Sequence, residues 1–400
     1  CLSVLEDSGY MARAAFVMDR FMRWIGLPGK SFVPMLVGFG CSVPAIMATR
    51  TLESKRDRLL TIFMTPFMSC SAKLPVWVLF GVAFCPENPG TLIFALYMCG
   101  IVLGIVTGLI MKHTLFQGSP THFIMELPPY HMPRPKHIFL HTWERLKIFI
   151  WRAGKFIVPM VLALGVLNTM GTDGSIGNED SEKSVLSVVG RSITPVFEPI
   201  GVEKDNWQAS VSIFTGLFAK EAVIGTLNGL YGQGDAAEEA KAGDKPAEKE
   251  SYSLIGGLKE AFASIPANLL DAGSAILDPL GFSGAAEDVT DGEEKDANEA
   301  TIAGLRKHFG KGFHQAFAFL LFVLLYVPCL AATGTVFREV GKGYGMVFVG
   351  YLTVIGWSVA TVYHAVMVSH SSLWFCIGMG LLVAMFGSFW AYGKRHKIDM

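Results

Sequence analysis

Charge is what this 400-residue sequence has least of. Charged side chains make up 17%, where a soluble globular chain carries roughly 25%. With 51% hydrophobic residues and a mean hydropathy of +0.42, this shortage excludes a disordered chain, a coiled coil and a small disulfide scaffold. It also argues against two or three soluble domains. No Cys-x-x-Cys pair occurs, so a thiol-redox enzyme would lack its reactive unit. No P-loop is present. Gly29-Lys30-Ser31 supplies the end of one, but the position five before Gly29 is Trp24. No basic stripe lies on a polar face, which excludes nucleic acid as a partner. No signal peptide opens the chain, and CLSVL begins it without Met. This start reads as a piece of a longer protein.

What the chain does have is long apolar runs. A bilayer core of about 30 Å takes about 20 apolar residues in a helix. Candidate segments are Phe32 to Thr49, Leu59 to Phe84, Thr91 to Met111, Ile148 to Met170, Trp207 to Tyr231, Phe313 to Phe337, Tyr344 to Val368 and Ser372 to Tyr392. The expected fold is therefore all-α, a polytopic transmembrane helical bundle in a lipid bilayer. Gly100, Gly104 and Gly108 fall at four-residue spacing, a flat face for close helix packing.

The net charge of −1 conceals a division. Asp235 to Glu299 holds 16 acidic and 5 basic residues, a local charge of −11, so the rest carries +10. An acidic aqueous insert over 232–311 is expected, with Ala236 to Glu250 and Ala285 to Ala300 mobile. Ser253 to Phe282 is mildly amphipathic and suits the membrane surface. A basic interfacial segment is expected over 112–147, running as a helix from Pro135 to Phe156 into the next span. Trp143, Phe149 and Trp151 suit the headgroup level there, and Lys147 and Arg152 can snorkel. The basic stretches Glu53 to Arg58, Lys112 to Lys147 and Lys394 to Lys397 should all be cytoplasmic, the C-terminus among them. Eight simple spans cannot satisfy all three, so Val185 to Val202, with Pro195 and Pro199, is expected to add a short dip that leaves the insert outside.

Two pairs of segments look alike. Gly38 to Thr49 reads GFGCSVPAIMAT and Thr215 to Thr226 reads TGLFAKEAVIGT. Aligned on Ala45 and Ala222, Thr49 and Thr226 also coincide. Each is followed by a span with a central proline, TPFMSCSAKLP from Thr65 and VPCLAATGT from Val327. Paired broken segments in two halves point to a transport site near mid-membrane. A proline cannot donate to the carbonyl four residues back. Pro44 would free Gly40, Pro66 would free Ile62, Pro75 would free Ser71 and Pro328 would free Leu324. In lipid such groups need protein or a wet cavity to receive them. Prolines that merely kink packed helices are the plainer alternative.

There are seven cysteines, an odd number in no secreted-type spacing. Buried packing is the ordinary role for such thiols. Cys41, Cys70 and Cys329, however, adjoin the breaks, and thiolate favours softer metals such as iron, zinc or copper. Thiols with an ordinary pKa of about 8.5 must lose protons to bind a metal, so Cys-mediated transport is expected to weaken as pH falls towards about 5. Lys220-Glu221 lies inside an apolar span, and such charges are functional candidates by default. Glu221 would bind a cation transiently and Lys220 would balance it when empty. Equally, Glu221 would form a structural ion pair, with Lys73 one candidate partner. His364, Met367 and His370 suit either a vestibule or a plain surface cluster. His137 and His141, spaced as on one helix face, lie on the interfacial stretch and are set aside as metal ligands.

LEDSGYMARAAFVMDR from Leu5, GFGCSVPAIMATRTLESKRDR from Gly38 and TPFMSCSAKLPVW from Thr65 closely resemble the membrane domain of the FeoB ferrous iron transporters. AKEAVIGTL from Ala219 and YVPCLAATGTVFRE from Tyr326 resemble its second half. The resemblance covers essentially all 400 residues, and the acidic insert alone matches no motif. It implies two Gate-type repeats, divided here as 1–111, the first repeat and adjoining spans; 148–231, a span and the first part of the second; and 312–400, the remainder. It implies passage of Fe(II) into the cytoplasm across a bacterial inner membrane, along a metal path of Cys41, Cys70 and Cys329, assisted by Glu221. It implies an N-terminal G domain, using GTP and Mg, absent from this chain, so that the fragment itself is no enzyme. It implies a FeoA-like small partner protein and a homo-oligomer. The rival readings are a Gate transporter of nucleosides or another solute, and a structural membrane module with inert thiols.

Overall fold

The computed structural model describes residues 2–118, 129–130, 132, 134–171, 184–240, 301–310 and 312–395. The stretches 119–128, 172–183 and 241–300 lie outside them, so most of the expected acidic insert is not described. Among the described residues the fold is all-α, with no strand beyond an isolated bridge between Gly171 and Ser184. The helices are α1 (Leu2–Asp7), α2 (Tyr10–Ile25), α3 (Phe32–Gly38), α4 (Ser42–Ala48), α5 (Lys55–Met64), α6 (Leu74–Phe84), α7 (Pro89–His113), α8 (Pro135–Thr169), α9 (Val185–Phe197), α10 (Trp207–Phe218), α11 (Ala222–Ala240), α12 (Phe313–Leu325), α13 (Leu330–His364) and α14 (Ser372–Arg395). Residues 301–308 are also helical.

Among the described residues, four stretches are long and apolar enough to cross a membrane: Lys55–Phe84, Pro89–His113, Phe313–Ser369 and Ser372–Lys394. The other expected spans are built differently. Phe32 to Thr49 becomes the seven-residue helices α3 and α4, and Trp207 to Tyr231 is divided between α10 and α11. The expected dip at Val185 to Val202 is α9 and one tight turn, closed by Gly201 at φ 103°. Phe313–Ser369 would run about 85 Å as one straight helix, over twice a bilayer core. It is instead broken before α13 and bent at Gly341 (φ 81°, ψ 171°).

Helix α2 packs Met11, Ala15, Met22 and Ile25 inward, and it stops at Gly26, whose left-handed φ of 101° lets its N–H reach the Met22 and Arg23 carbonyls. The residues of the P-loop decoy have a packing role. The Gly29 N–H donates to Asp19 at 2.9 Å, and any Cβ at Gly29 would collide with α2. Helix α8 runs 35 residues without a break, so no boundary separates the expected interfacial segment from the span. Trp143 and Trp151 on it are exposed, as headgroup-level side chains would be, while the side chains of Phe149 and Arg152 lie outside the described set.

Lipid tails are as apolar as leucine, so close packing rather than hydrophobic burial must hold the bundle. Phe63, Phe67, Trp77, Phe80, Phe309, Phe319 and Tyr351 are fully buried at its centre. They join the two halves, since Phe80 stacks on Phe319 and Phe63 meets Phe348 and Tyr351. The glycine face of α7 receives the broken end of α5. A Cβ on Gly100 would lie 2.6 Å from the Phe67 carbonyl, and one on Gly108 would lie 2.6 Å from the Met64 sulfur. The basic stretch Glu53 to Arg58 is no loose loop. Arg56 is buried, donating to the carbonyls of Phe116 (2.9 Å) and Gly26 (3.0 Å) and to Asp57 (2.6 Å).

Candidate functional site

Four helix interruptions lie at the heart of the two halves, close to where proline and glycine predict them. The chain turns at Phe39-Gly40 and reaches Cys41 in extended form (φ −154°, ψ 132°) before α4. Helix α5 gives way to a tight turn at Thr65–Phe67, and Cys70 is extended before a second turn, Ser71–Lys73, that leads into α6. Ala219, Lys220 and Glu221 separate α10 from α11. Tyr326 to Cys329 is extended before α13.

One regularity emerges from these positions. Cys41, Cys70, Glu221 and Cys329 each occupy the last residue before a helical segment. The partial positive charge of a helix N-terminus favours a negative group there. Cys41 interacts with the Val43 backbone N–H and Cys329 with that of Ala332, without closing a full capping hydrogen bond. The repeat register is corrected by this pattern. Aligning Ala45 with Ala222 would place Phe218 opposite Cys41, but the helix starts make Ser42 equivalent to Ala222 and Cys41 equivalent to Glu221. The second break sits three residues later because Ala219 adopts the extended conformation that ends α10.

The breaks also meet one another. Gly40 accepts from the Ser71 N–H at 3.2 Å and from its hydroxyl at 2.9 Å, which sets Cys41 and Cys70 on adjoining strands of irregular backbone. Cys329 lies within electrostatic reach of Cys70, Glu221 and Lys220, and Cys41 within reach of Cys70, Cys329 and Glu221. All three thiols are partly exposed, and among the described residues no cysteine is fully buried or in a disulfide. Cys41 and Cys329 also pack against the hydrophobic core. Among the described residues, no three His, Cys, Asp or Glu side chains converge tightly enough to hold a metal ion together.

Three of the four proline-freed carbonyls are not left open to an ion. Gly40 is taken twice by Ser71, and the Ser71 carbonyl by the Leu74 N–H. Leu324, freed by Pro328, accepts from Lys73 Nζ at 2.7 Å. Lys73 therefore does not pair with Glu221: the orphaned carbonyl takes its ammonium, and Glu221 is exposed with no ion pair among the described residues. Lys220 is buried, and its ammonium lies 3.0 Å from the centre of the Tyr326 ring without a hydrogen-bond partner among the described residues. His364 closes α13, and Met367 and His370 follow on a widened turn, His370 at a left-handed φ of 48°. These three lie at the opposite end of α13 from Cys329.

Two features escaped the sequence reading. Tyr326 holds Lys220 with its ring. Glu339, on α13, binds Arg50 and Arg58 of the first repeat through hydrogen-bonded ion pairs, with its side chain 4% exposed. A lone carboxylate in an apolar stretch, opposite two arginines left unassigned, was the available signal. The bend at Gly341 follows two residues later.

Comparison with known proteins agrees with this architecture. The family described as "Ferrous iron transport protein B C terminus" matches residues 93–145, and the Gate family, described as "Nucleoside recognition", matches 1–84 and 150–281. The second Gate match thus runs into the stretch that no motif matched. The chain is 44% identical over 364 residues to a Legionella pneumophila protein named Fe(2+) transporter FeoB, covering 91% of this chain and 46% of the relative. It is 44% identical over 373 residues to the protein of that name from Escherichia coli K12, covering 91% and 45%. The Salmonella typhi protein of that name is 43% identical over 366 residues, covering 91% and 46%. The chain spans about half the length of these relatives. No solved structure matches it significantly. Two Gate-matched halves, their paired helix breaks and this likeness over nine-tenths of the sequence make the chain a member of the FeoB family, and specifically its polytopic membrane part.

Proposed function

We propose that this chain is the membrane conduit for ferrous iron, and that Cys41, Cys70 and Cys329 pass the ion between them while Glu221 supplies a carboxylate. The observation that carries this reading is the placement of the four side chains at the helix breaks, Cys41, Glu221 and Cys329 directly before an α-helix and Cys70 before the tight turn that leads into α6. Soft sulfur donors suit Fe(II) better than Mg or Ca. Their spread favours transient handling, since a conduit must bind its ion weakly enough to release it. The relatives' printed name, Fe(2+) transporter, supports the same cargo.

In the bacterial inner membrane the path would deliver iron to the cytoplasm, with the C-terminus on that side. A G domain outside this chain would couple GTP, with Mg, to opening. A small FeoA-like protein and further copies of the chain would be its partners. Hydrolysis would belong to the G domain and not to these residues.

The nucleoside reading has one observation to weigh, a cavity of about 440 Å³ against Tyr326 and Val327. Its walls include Ile193, Val196, Phe197, Ile213 and Phe214, with no Asn, Gln or acid. Thr353 and Trp357 also line it, but each already donates to a backbone carbonyl, so a base and sugar would find the Tyr326 hydroxyl and leave most of their other hydrogen-bonding groups unpaired, at a cost of about 1–3 kcal/mol each. The metal reading is therefore preferred.

The test is Fe(II) uptake by the full-length protein in sealed proteoliposomes, with Cys41, Cys70 and Cys329 each changed to Ser. Uptake should fall at least about tenfold in each variant, a barrier change of about 1.4 kcal/mol. Unchanged uptake in all three would return the thiols to packing.

A further inference from the structure

Two lysines are buried at the breaks, and they are held in opposite ways. Lys73 is a strut: its ammonium closes the Leu324 carbonyl across the repeat boundary. Lys220, 3% exposed, has no hydrogen-bond partner for its three donors among the described residues. Only the Tyr326 ring face, 3.0 Å away, holds it, through the attraction of a ring quadrupole for a cation. Gly216 makes room for that arrangement, since a Cβ there would lie 2.6 Å from the Tyr326 hydroxyl, which is itself buried without a hydrogen-bond partner. Cys70, Cys329 and Glu221 all lie within electrostatic reach of Lys220.

We propose that Lys220 is a tethered counter-cation that seals the path against monovalent cations and gives way to a soft divalent one. The identity of the admitted ion rests on the iron reading above; the seal itself does not. An ammonium on a four-carbon stem is a compact, mobile charge. Resting on the Tyr326 ring, within electrostatic reach of Cys70, Cys329 and Glu221, it supplies the positive charge that an arriving cation would bring. A sodium or potassium ion arriving there meets like charge in a medium that screens it poorly. Such a hard ion gains little from sulfur with which to offset that repulsion. Fe(II) gains sulfur coordination, and that gain displaces Lys220, with no bond to the lysine made or broken. Lys73 cannot serve in this way, because moving it would orphan a buried carbonyl.

The experiment measures rubidium efflux from proteoliposomes holding the full-length protein, without iron, beside Fe(II) uptake by the same vesicles. Lys220→Met keeps the buried stem and deletes the charge, and it should raise rubidium efflux at least about tenfold, an effect of about 1.4 kcal/mol on the barrier. Tyr326→Leu, which removes the ring but not the lysine, should raise it by a smaller factor and serves if Lys220→Met does not fold. Lys73→Gln keeps a donor for Leu324 but removes a second charge within electrostatic reach of Lys220, Cys70 and Cys329, so it should raise efflux by a much smaller factor than Lys220→Met. Folded Lys220→Met protein as tight to rubidium as the parent would overturn the proposal, as would equal leakage from Lys73→Gln. Failure of the parent protein to take up Fe(II) would strike the iron reading while leaving the rubidium comparison to decide the seal.

Discussion

The two halves carry the same pattern of broken helices but finish it to different degrees. In the first, the breaks are sewn together. Ser71 closes Gly40 with two bonds, and Lys73 reaches over to close Leu324. In the second, Lys220 Nζ and the Tyr326 hydroxyl are both buried without hydrogen-bond partners among the described residues. An unmade buried hydrogen bond is costly, and the first half keeps one too, at the Ser69 hydroxyl beside Cys70, so the contrast lies in the two lysines. The difference teaches that the part around Lys73 is a frame and the part around Lys220 the one free to rearrange, since an ammonium with no hydrogen bond to lose can move at small cost.

The largest effect should come from removing the member that ties frame to moving part. Lys73→Met should cost about 2–3 kcal/mol of unfolding free energy in detergent, because Leu324 is left buried and unpaired. Lys220→Met should cost nothing measurable, or stabilise, because it deletes an unpartnered buried ammonium. Equal losses from the two lysines would erase the asymmetry. Glu339→Gln should cost about 1–2 kcal/mol, since both Arg50 and Arg58 lose their counter-charge. A shift in iron uptake with little loss of stability would sharpen the division by showing that this ion pair also sets the relative position of the halves. Among the variants that lose a bond, the smallest effect should be Ser71→Ala, about 0.6 kcal/mol, the average scale of side-chain hydrogen bonds inside membrane bundles. A loss of several kcal/mol there would mean that Gly40 depends on the hydroxyl more than on the remaining backbone N–H.

The sequence made the breaks legible because proline and glycine act locally. Pro328 forbids one particular hydrogen bond whatever the fold around it, and Gly38 and Gly40 weaken a helix by themselves. The register of the second break was not legible. Its identity to the first is slight, and nothing in TGLFAKEAVIGT marks Ala219 as the residue that leaves the helix. The partner of Lys73 was hidden for another reason: Leu324 lies 251 residues away along the chain, and only the folded bundle brings it near. Apolar runs located the membrane segments but not how each is built, since hydropathy records where a chain can sit in lipid and not how its backbone runs there. Helix α8 is the converse case. Its composition changes near Lys147, yet backbone hydrogen bonding continues through the change, because a helix needs no uniform polarity to propagate.

Glycine 341 has a mechanical consequence. The ten residues from Leu330 to Glu339 form an unbroken helical arm of about 15 Å, with the Cys329 sulfur at one tip and a clasped carboxylate at the other, and the elbow lies just beyond the clasp. A rod that stiff transmits displacement without absorbing it. Releasing the two arginines would let the arm pivot at its elbow, and the sulfur would travel while the long remainder of α13 stayed seated in the bundle.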